Sequence, residues 1–175
     1  MKKVTLSITL FIAVIIGCKT SSLNGIVNKL NITFESKSNS TVSGTASFSE
    51  KNGTVTFIAK LAGLKPGIHA IHIHEKSDCS AADGSSAGGH WNPTFKKHGK
   101  LSQGESHKGD IGNFNADEKG NGTITLSTDE WCIGCGDATK DILGKGLIVH
   151  QGADDYISQP TGNAGTRVAC SAILK

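Results

Sequence analysis

The chain has 175 residues, room for one domain with a proper core. Its charge is nearly balanced: the formal net charge is +3, and setting aside Lys2 and Lys3 leaves 16 basic residues against 15 acidic ones. No basic block marks a nucleic-acid partner, and 22 glycines argue against long helices and for turns and loops.

Lys2 and Lys3 form a basic leader, followed by an apolar stretch from Val4 to Gly17. That stretch is shorter than the roughly 20 residues a membrane-spanning helix needs. It ends Val14-Ile15-Ile16-Gly17-Cys18, which resembles a bacterial lipobox, with a small residue directly before the cysteine. The resemblance implies a signal peptide over residues 1–17 and a lipidated Cys18 as the new N-terminus. It also implies export to the periplasmic or cell-surface side of a bacterial membrane, with the lipid as anchor. An ordinary signal peptide with a chance cysteine is the plainer alternative. Residues 18–25 read as Cys18 and a short polar tether, and residues 26–175 as the domain. Export makes the remaining Cys79, Cys132, Cys135 and Cys170 an even set that fits two disulfides. The sequons at Asn31, Asn39, Asn52 and Asn121 read as coincidences of a turn-rich chain.

Beyond the tether every signal is β. Asn31–Glu35 and Thr41–Ser49 alternate, the latter with Val42, Ala46 and Phe48 on one parity. Asn52-Gly53 marks a hairpin into Thr54–Leu61, whose apolar face is Val55, Phe57, Ala59 and Leu61. Ile68–His74, Asp110–Phe114, Thr123–Leu126, Leu147–His150 and Arg167–Leu174 complete eight expected strands, with a second tight turn at Asn121-Gly122. Between them lie loops at roughly 75–109, 127–146 and 151–166. The two longest exceed what a compact domain ordinarily carries without a function. The fold class expected is an all-β barrel or sandwich.

The chemistry lies in the histidines. In Ile71-His72-Ile73-His74 the strand period of two puts both imidazoles on one face, Cα atoms about 7 Å apart, where they can converge on a metal ion. An isolated pair of this kind is more often two solvated histidines. His69 has the opposite parity and reads as structural. The following loop adds His90, His98, His107 and Asp110, and three imidazoles with one carboxylate suit a closed tetrahedral zinc site. His150, ending the apolar run Leu147-Ile148-Val149, would add an imidazole to His72 and His74, and an imidazole-rich set suits copper.

Several segments, in order, resemble the copper,zinc superoxide dismutase family from about residue 30 to the end. They are Gly63–His74, Gly89-His90-Trp91-Asn92-Pro93, Lys97-His98-Gly99 with His107–Asn113, Val149-His150 with Ala153-Asp154-Asp155, and Thr161–Cys170. The resemblance implies the family's eight-stranded Greek-key barrel. It implies one copper ion held by His72, His74, His90 and His150, and one zinc ion held by His90, His98, His107 and Asp110. His90 would bridge the two metals, and Asp154 would accept hydrogen bonds from one ligand histidine of each. It also implies a Cys79–Cys170 disulfide, Arg167 as the cation that guides the substrate anion, and Thr161 narrowing the channel beside it. The implied reaction converts superoxide to oxygen and hydrogen peroxide by alternate reduction and reoxidation of the copper. A copper- or zinc-binding module on the same fold, without turnover, is the alternative, and a homodimer is left open.

The chain departs from the family pattern at Ala70-Ile71, Ser77 and Gln151-Gly152, and Ile157-Ser158-Gln159-Pro160 carries no charge to steer an anion. Stronger dependence on Arg167 and weaker remote steering are therefore expected. Trp131-Cys132-Ile133-Gly134-Cys135 lies outside the pattern. Its Cys-x-x-Cys is similar to a thioredoxin-like redox motif, which needs a βαβ setting absent here. A Cys132–Cys135 disulfide stapling the loop is expected. An auxiliary metal or redox role, or free thiols, stay open.

Overall fold

The computed structural model describes residues 28–175. The expected signal peptide, Cys18 and the tether lie outside the described residues. Alternation of apolar and polar side chains builds one half of the sheet. Strand β1 (Asn28–Thr33) pairs antiparallel with β3 (Ser43–Lys51), and β3 with β4 (Thr54–Ala62). The β3–β4 hairpin turns on Asn52-Gly53, with φ of 53° and 76°. Positive φ at both positions matches the turn to the strand twist, and asparagine followed by glycine tolerates it. The register places Phe48 opposite Phe57 with ring centroids 4.9 Å apart. Strand β7 (Gly122–Thr128) extends this half beside β4.

The other half comprises β6 (Gly112–Ala116), β5 (Gly67–His74), β8 (Lys145–His150) and β9 (Arg167–Ile173). With β2 (Glu35–Ser36) at the far edge, the spatial order β1-β3-β4-β7-β6-β5-β8-β9-β2 means that the connections from β4 to β5 and from β7 to β8 each pass over two strands, as Greek-key crossovers. The single expected strand Asn31–Glu35 is two: the chain turns at Phe34, and β2 (Glu35–Ser36) pairs with β9 at the opposite edge of the sheet. One continuous segment thereby serves both edges, which nearly closes the barrel and protects edges that would otherwise stay unpaired. Nine strands result where the periodicity predicts eight.

Two further expectations shift. Asp110 and Ile111 precede β6 instead of opening it, because the Asp110 amide donates back to the His107 carbonyl (3.3 Å) and the Ile111 amide to that of Gly109 (2.9 Å). The turn expected at Asn121-Gly122 falls on Asp117–Gly120, where the Asp117 carboxylate accepts from the amides of Lys119 and Asn121.

The barrel core is apolar and continuous, from Leu30 and Ile32 through Phe48, Val55 and Phe57 to Ile71, Ile73, Leu147, Val149 and Ile173. Trp131 meets Phe48 and Phe57 edge-on, with centroids 6.4 Å away in each case. A second, smaller cluster lies outside the barrel wall. There Ala87 and Cys79 of the 75–111 loop cover Ile148 and Cys170 on the outer face of β8 and β9. Cys79 is disulfide-bonded to Cys170 across 91 residues of sequence.

Candidate metal centre

The outer face of β5 carries His72 and His74, both fully buried although they point away from the barrel core. The covering loop delivers His90 against them through a bridge between His74 and His90. At the end of β8 the register shifts: Val149 pairs with Ala169 but His150 with Arg167. Such a bulge re-aims the side chain after it, and the His150 ring lies 5.0 Å from that of His72 and 5.7 Å from that of His74. The His90 ring stands 4.0 Å from His72 on one side, and 5.3 and 5.7 Å from His98 and His107 on the other. Two groups share it: His72, His74, His90 and His150, and His90, His98, His107 and Asp110. In each group the ligand atoms all lie within 4.8 Å of one another.

Ring orientation is fixed from behind. His74 Nδ1 donates to the Gly88 carbonyl (3.0 Å), His150 Nδ1 to that of Gly165 (3.1 Å), and His72 Nε2 to Asp154 Oδ2 (2.8 Å). His98 Nε2 donates to the other Asp154 oxygen (2.9 Å), so one carboxylate holds a histidine of each group. Asp154 is itself gripped. Its backbone amide and carbonyl pair with the Asn113 side chain at 2.8 Å each, and its Oδ1 also accepts the Tyr156 amide. Gly162, at φ 67°, admits no side chain: a Cβ there would stand 1.9 Å from Asp154 Oδ1 and 2.6 Å from His98 Nε2.

One nitrogen of each of six rings has no hydrogen-bond partner. His72 Nδ1 and the Nε2 atoms of His74, His90 and His150 are buried without a hydrogen-bond partner, as are Nδ1 of His98 and His107. A neutral imidazole whose one N–H is committed presents a lone pair at the other nitrogen. Burying six ring nitrogens unpaired is costly, whereas metal ions would satisfy them all. The electrostatics agree for three of the rings. Burial, reinforced by neighbouring imidazoles, lowers His90 to about 4 and His150 to about 3, and it lowers His74 as well. These rings are therefore neutral at pH 7 and free to coordinate. At Asp110 burial opposes ionisation, but the adjoining imidazoles of His107, His90 and His98, with the amides of Gly99 (3.0 Å) and His107 (2.8 Å) donating to the carboxylate, hold it well below the usual carboxylate range. The donor set thus fits an imidazole-rich transition-metal site beside a three-imidazole, one-carboxylate site.

Arg167 lies half-buried at the rim. Nη1 donates to the Gly84 carbonyl and Nη2 to that of Gly88, both at 2.8 Å. The Gly88 oxygen also accepts from His74, which ties the cation to that ring through a single atom. Thr161 is half-buried beside Gly162. His69, on the other parity, bridges the carbonyls of His150 (3.0 Å) and Lys65 (2.7 Å).

Three contributors escaped sequence reasoning. Gln159 clamps the His98 backbone from both sides, accepting from its amide (2.8 Å) and donating to its carbonyl (3.0 Å). The Lys37 ammonium, almost wholly buried, donates to the Cys79 carbonyl and steadies the disulfide loop from below. Trp131 donates its indole N–H to the Lys108 carbonyl (2.7 Å), next to His107. Gly162 lies inside a segment already matched to the family, but a long-range contact made by Gln159, Lys37 or Trp131 leaves no periodicity behind. Cys132 and Cys135 are joined in a second disulfide.

A Greek-key barrel with a shared-histidine pair of metal groups defines the class. The family model for copper/zinc superoxide dismutase matches residues 42–173. Two proteins of Aquifex aeolicus (strain VF5), named superoxide dismutase (Cu-Zn) 2 and 1, are each 38% identical over 135 residues. The aligned region covers 75% and 74% of this chain and 79% of each relative. The chain belongs to the copper/zinc superoxide dismutase family. It is accordingly an oxidoreductase that uses copper and zinc and acts on superoxide.

Proposed function

We propose that His72, His74, His90 and His150 hold the copper ion, and that His90, His98, His107 and Asp110 hold the zinc ion. Bound copper supplies one-electron redox chemistry, so that two superoxide anions and two protons give one oxygen and one hydrogen peroxide, while zinc contributes fixed positive charge without redox change. His90 offers Nε2 to one group and Nδ1 to the other, and its Nε2 takes up and returns one of the two protons. Asp154 keeps His72 and His98 in the tautomer that leaves their Nδ1 atoms free. Arg167, held by two carbonyls, keeps its charge available to attract and orient a small anion, and Thr161 narrows the approach beside it. With no charge on residues 157–160, attraction depends on Arg167 more than on remote steering.

The observation that supports this reading is the set of six buried, unpartnered ring nitrogens converging on two groups that share His90. Superoxide-dependent dye reduction by the copper- and zinc-loaded protein tests it. Full metal content without activity would overturn it.

The lipid anchor belongs to the same proposal. Its support is the Val14–Cys18 segment, together with two disulfides that fit an oxidising compartment. Acyl labelling of the expressed chain, lost in the Cys18→Ala variant along with membrane association, is the expected result.

A further inference from the structure

The loop between β7 and β8 contains a cysteine pair that the metal centre does not use. The backbone of Cys132 is held on both sides by the returning chain: its amide donates to the Lys140 carbonyl (2.8 Å) and its carbonyl accepts the Ile142 amide (3.1 Å). This pairing sets Asp141 beside the sulfurs, and both Sγ atoms and an Asp141 carboxylate oxygen lie within 4.8 Å of one another. Backbone donors orient that carboxylate, Gly134 (2.9 Å) and Leu143 (3.1 Å) on Oδ1 and Gly136 (2.9 Å) on Oδ2. A carboxylate offers about four acceptor positions, so one on Oδ2 stays free. The Asp137 amide points at Cys135 Sγ at 3.5 Å, a contact that favours a thiolate over a thiol.

Access separates this disulfide from the other. Cys135 is exposed while Cys132 is buried; in the Cys79–Cys170 bridge, Cys170 is fully buried and Cys79 is shielded in part. Thiol–disulfide exchange needs an approach to one sulfur, and Cys135 provides it.

We propose that Cys132–Cys135 is a reducible disulfide which, once opened, forms with Asp141 a third metal site for one zinc ion. The reductant is a dithiol. Its thiolate attacks Cys135 Sγ, the bond to Cys132 breaks, and Cys132 leaves as a thiolate. The second thiol of the reductant then attacks the sulfur of its partner and displaces Cys135. The reductant ends as its own disulfide, and two electrons have passed to the protein. Zinc binds the two thiolates and Oδ2 of Asp141, any remaining thiol protons going to solvent, and its fourth position is open to water. The main-chain bonds of Cys132 and the amide contacts of Asp141 do not depend on the S–S bond, so the donors stay gathered after it opens.

The test uses the copper- and zinc-loaded protein treated with increasing dithiothreitol, with alkylation and peptide mapping to identify which disulfide has opened. Where Cys132–Cys135 is open and Cys79–Cys170 closed, zinc content rises by one equivalent per chain. Cobalt(II) in its place gives a thiolate charge-transfer band that histidine and carboxylate ligands do not produce. Cys135→Ser abolishes both signals, and Asp141→Asn releases the extra zinc to a lower concentration of chelator. The proposal is overturned if the opened pair takes up no zinc and gives no band. It is equally overturned if Cys135→Ser gains as much zinc as the reduced protein, or if the dithiol opens Cys79–Cys170 first.

Discussion

The two sides of the barrel are built from strands of similar length, yet they are covered differently. Along β3 and β4 buried and accessible residues alternate, with Phe57 and Ala59 inward and Thr56 and Lys60 outward. From Ala70 to His74 of β5, and from Gly146 to His150 of β8, every residue is buried. The inward face is equally apolar on both sides. What differs is the outward face, which meets water beyond β3 and β4 but lies under the histidine-bearing loops beyond β5 and β8. That face has become a second interior, filled with imidazoles. An apolar interior is stabilised by being dry, whereas a polar one needs a partner for every buried lone pair. One side should therefore depend on packing, and the other on bound metal.

Truncating the packed side should have the largest effect. Phe57→Ala removes a fully buried ring that touches Phe48 and Trp131, and about 3–5 kcal/mol of stability should go with it. Denaturant unfolding measures the loss, and the metal content of the purified variant should be unchanged. Chelating both metals should lower the melting temperature by about 10 °C, taking each metal at roughly thirtyfold over its Kd. Hydrogen exchange should rise under the 75–111 and 151–166 loops and hardly at all in β3 and β4. Equal loosening on both sides would break the comparison.

Acidity should expose the same contrast in the metal-free protein. Imidazoles ordinarily titrate near 6.5, but burial holds His90 near 4 and His150 near 3. Below pH 6.5 the unfolded chain binds protons that the fold refuses, so stability falls as the pH drops toward 3. His98 works the other way. Burial opposes its charge, but Asp110 and Asp154 outweigh burial and raise it to about 9. Its contribution is complete below pH 6.5 and is lost as the pH rises through 9. Thermal melts of the metal-free protein should peak near pH 6.5, and metal loading should flatten the curve.

Arg167→Ala should lower the rate about 100-fold and remove most of its salt dependence while leaving the melting temperature of the loaded protein nearly unchanged. An unaltered rate would mean that steering comes from elsewhere. The smallest effect belongs to Lys60→Ala on the exposed face of β4, within about 0.5 kcal/mol of the parent.

Much of this contrast is legible in the chain itself. Alternation in 41–61 and the Asn52-Gly53 turn define β4 to within one residue and β3 to within two at each end, because both signals are local. The period of two in His72-Ile73-His74 likewise assigns both imidazoles to one face without any tertiary information. The break at Phe34 is another matter: nothing in Asn31–Glu35 says that the segment leaves one edge of the sheet for the other, since that depends on where β9 lies. Gln159 is silent for the same reason. Its amide matters only because the loop folds back onto His98.

The sequence by itself determined which residues alternate, where the β3–β4 hairpin turns, how many cysteines remain to pair, and that two histidines share a face. Only the tertiary structure decided that His90 stands between two groups and which nitrogen of each ring faces them. It also decided that Cys79 meets Cys170 across 91 residues. Those outcomes rest on acceptors supplied from afar, namely Gly88, Gly165 and Asp154. A ring is oriented by whatever binds its far side, and folding alone brings that partner into place.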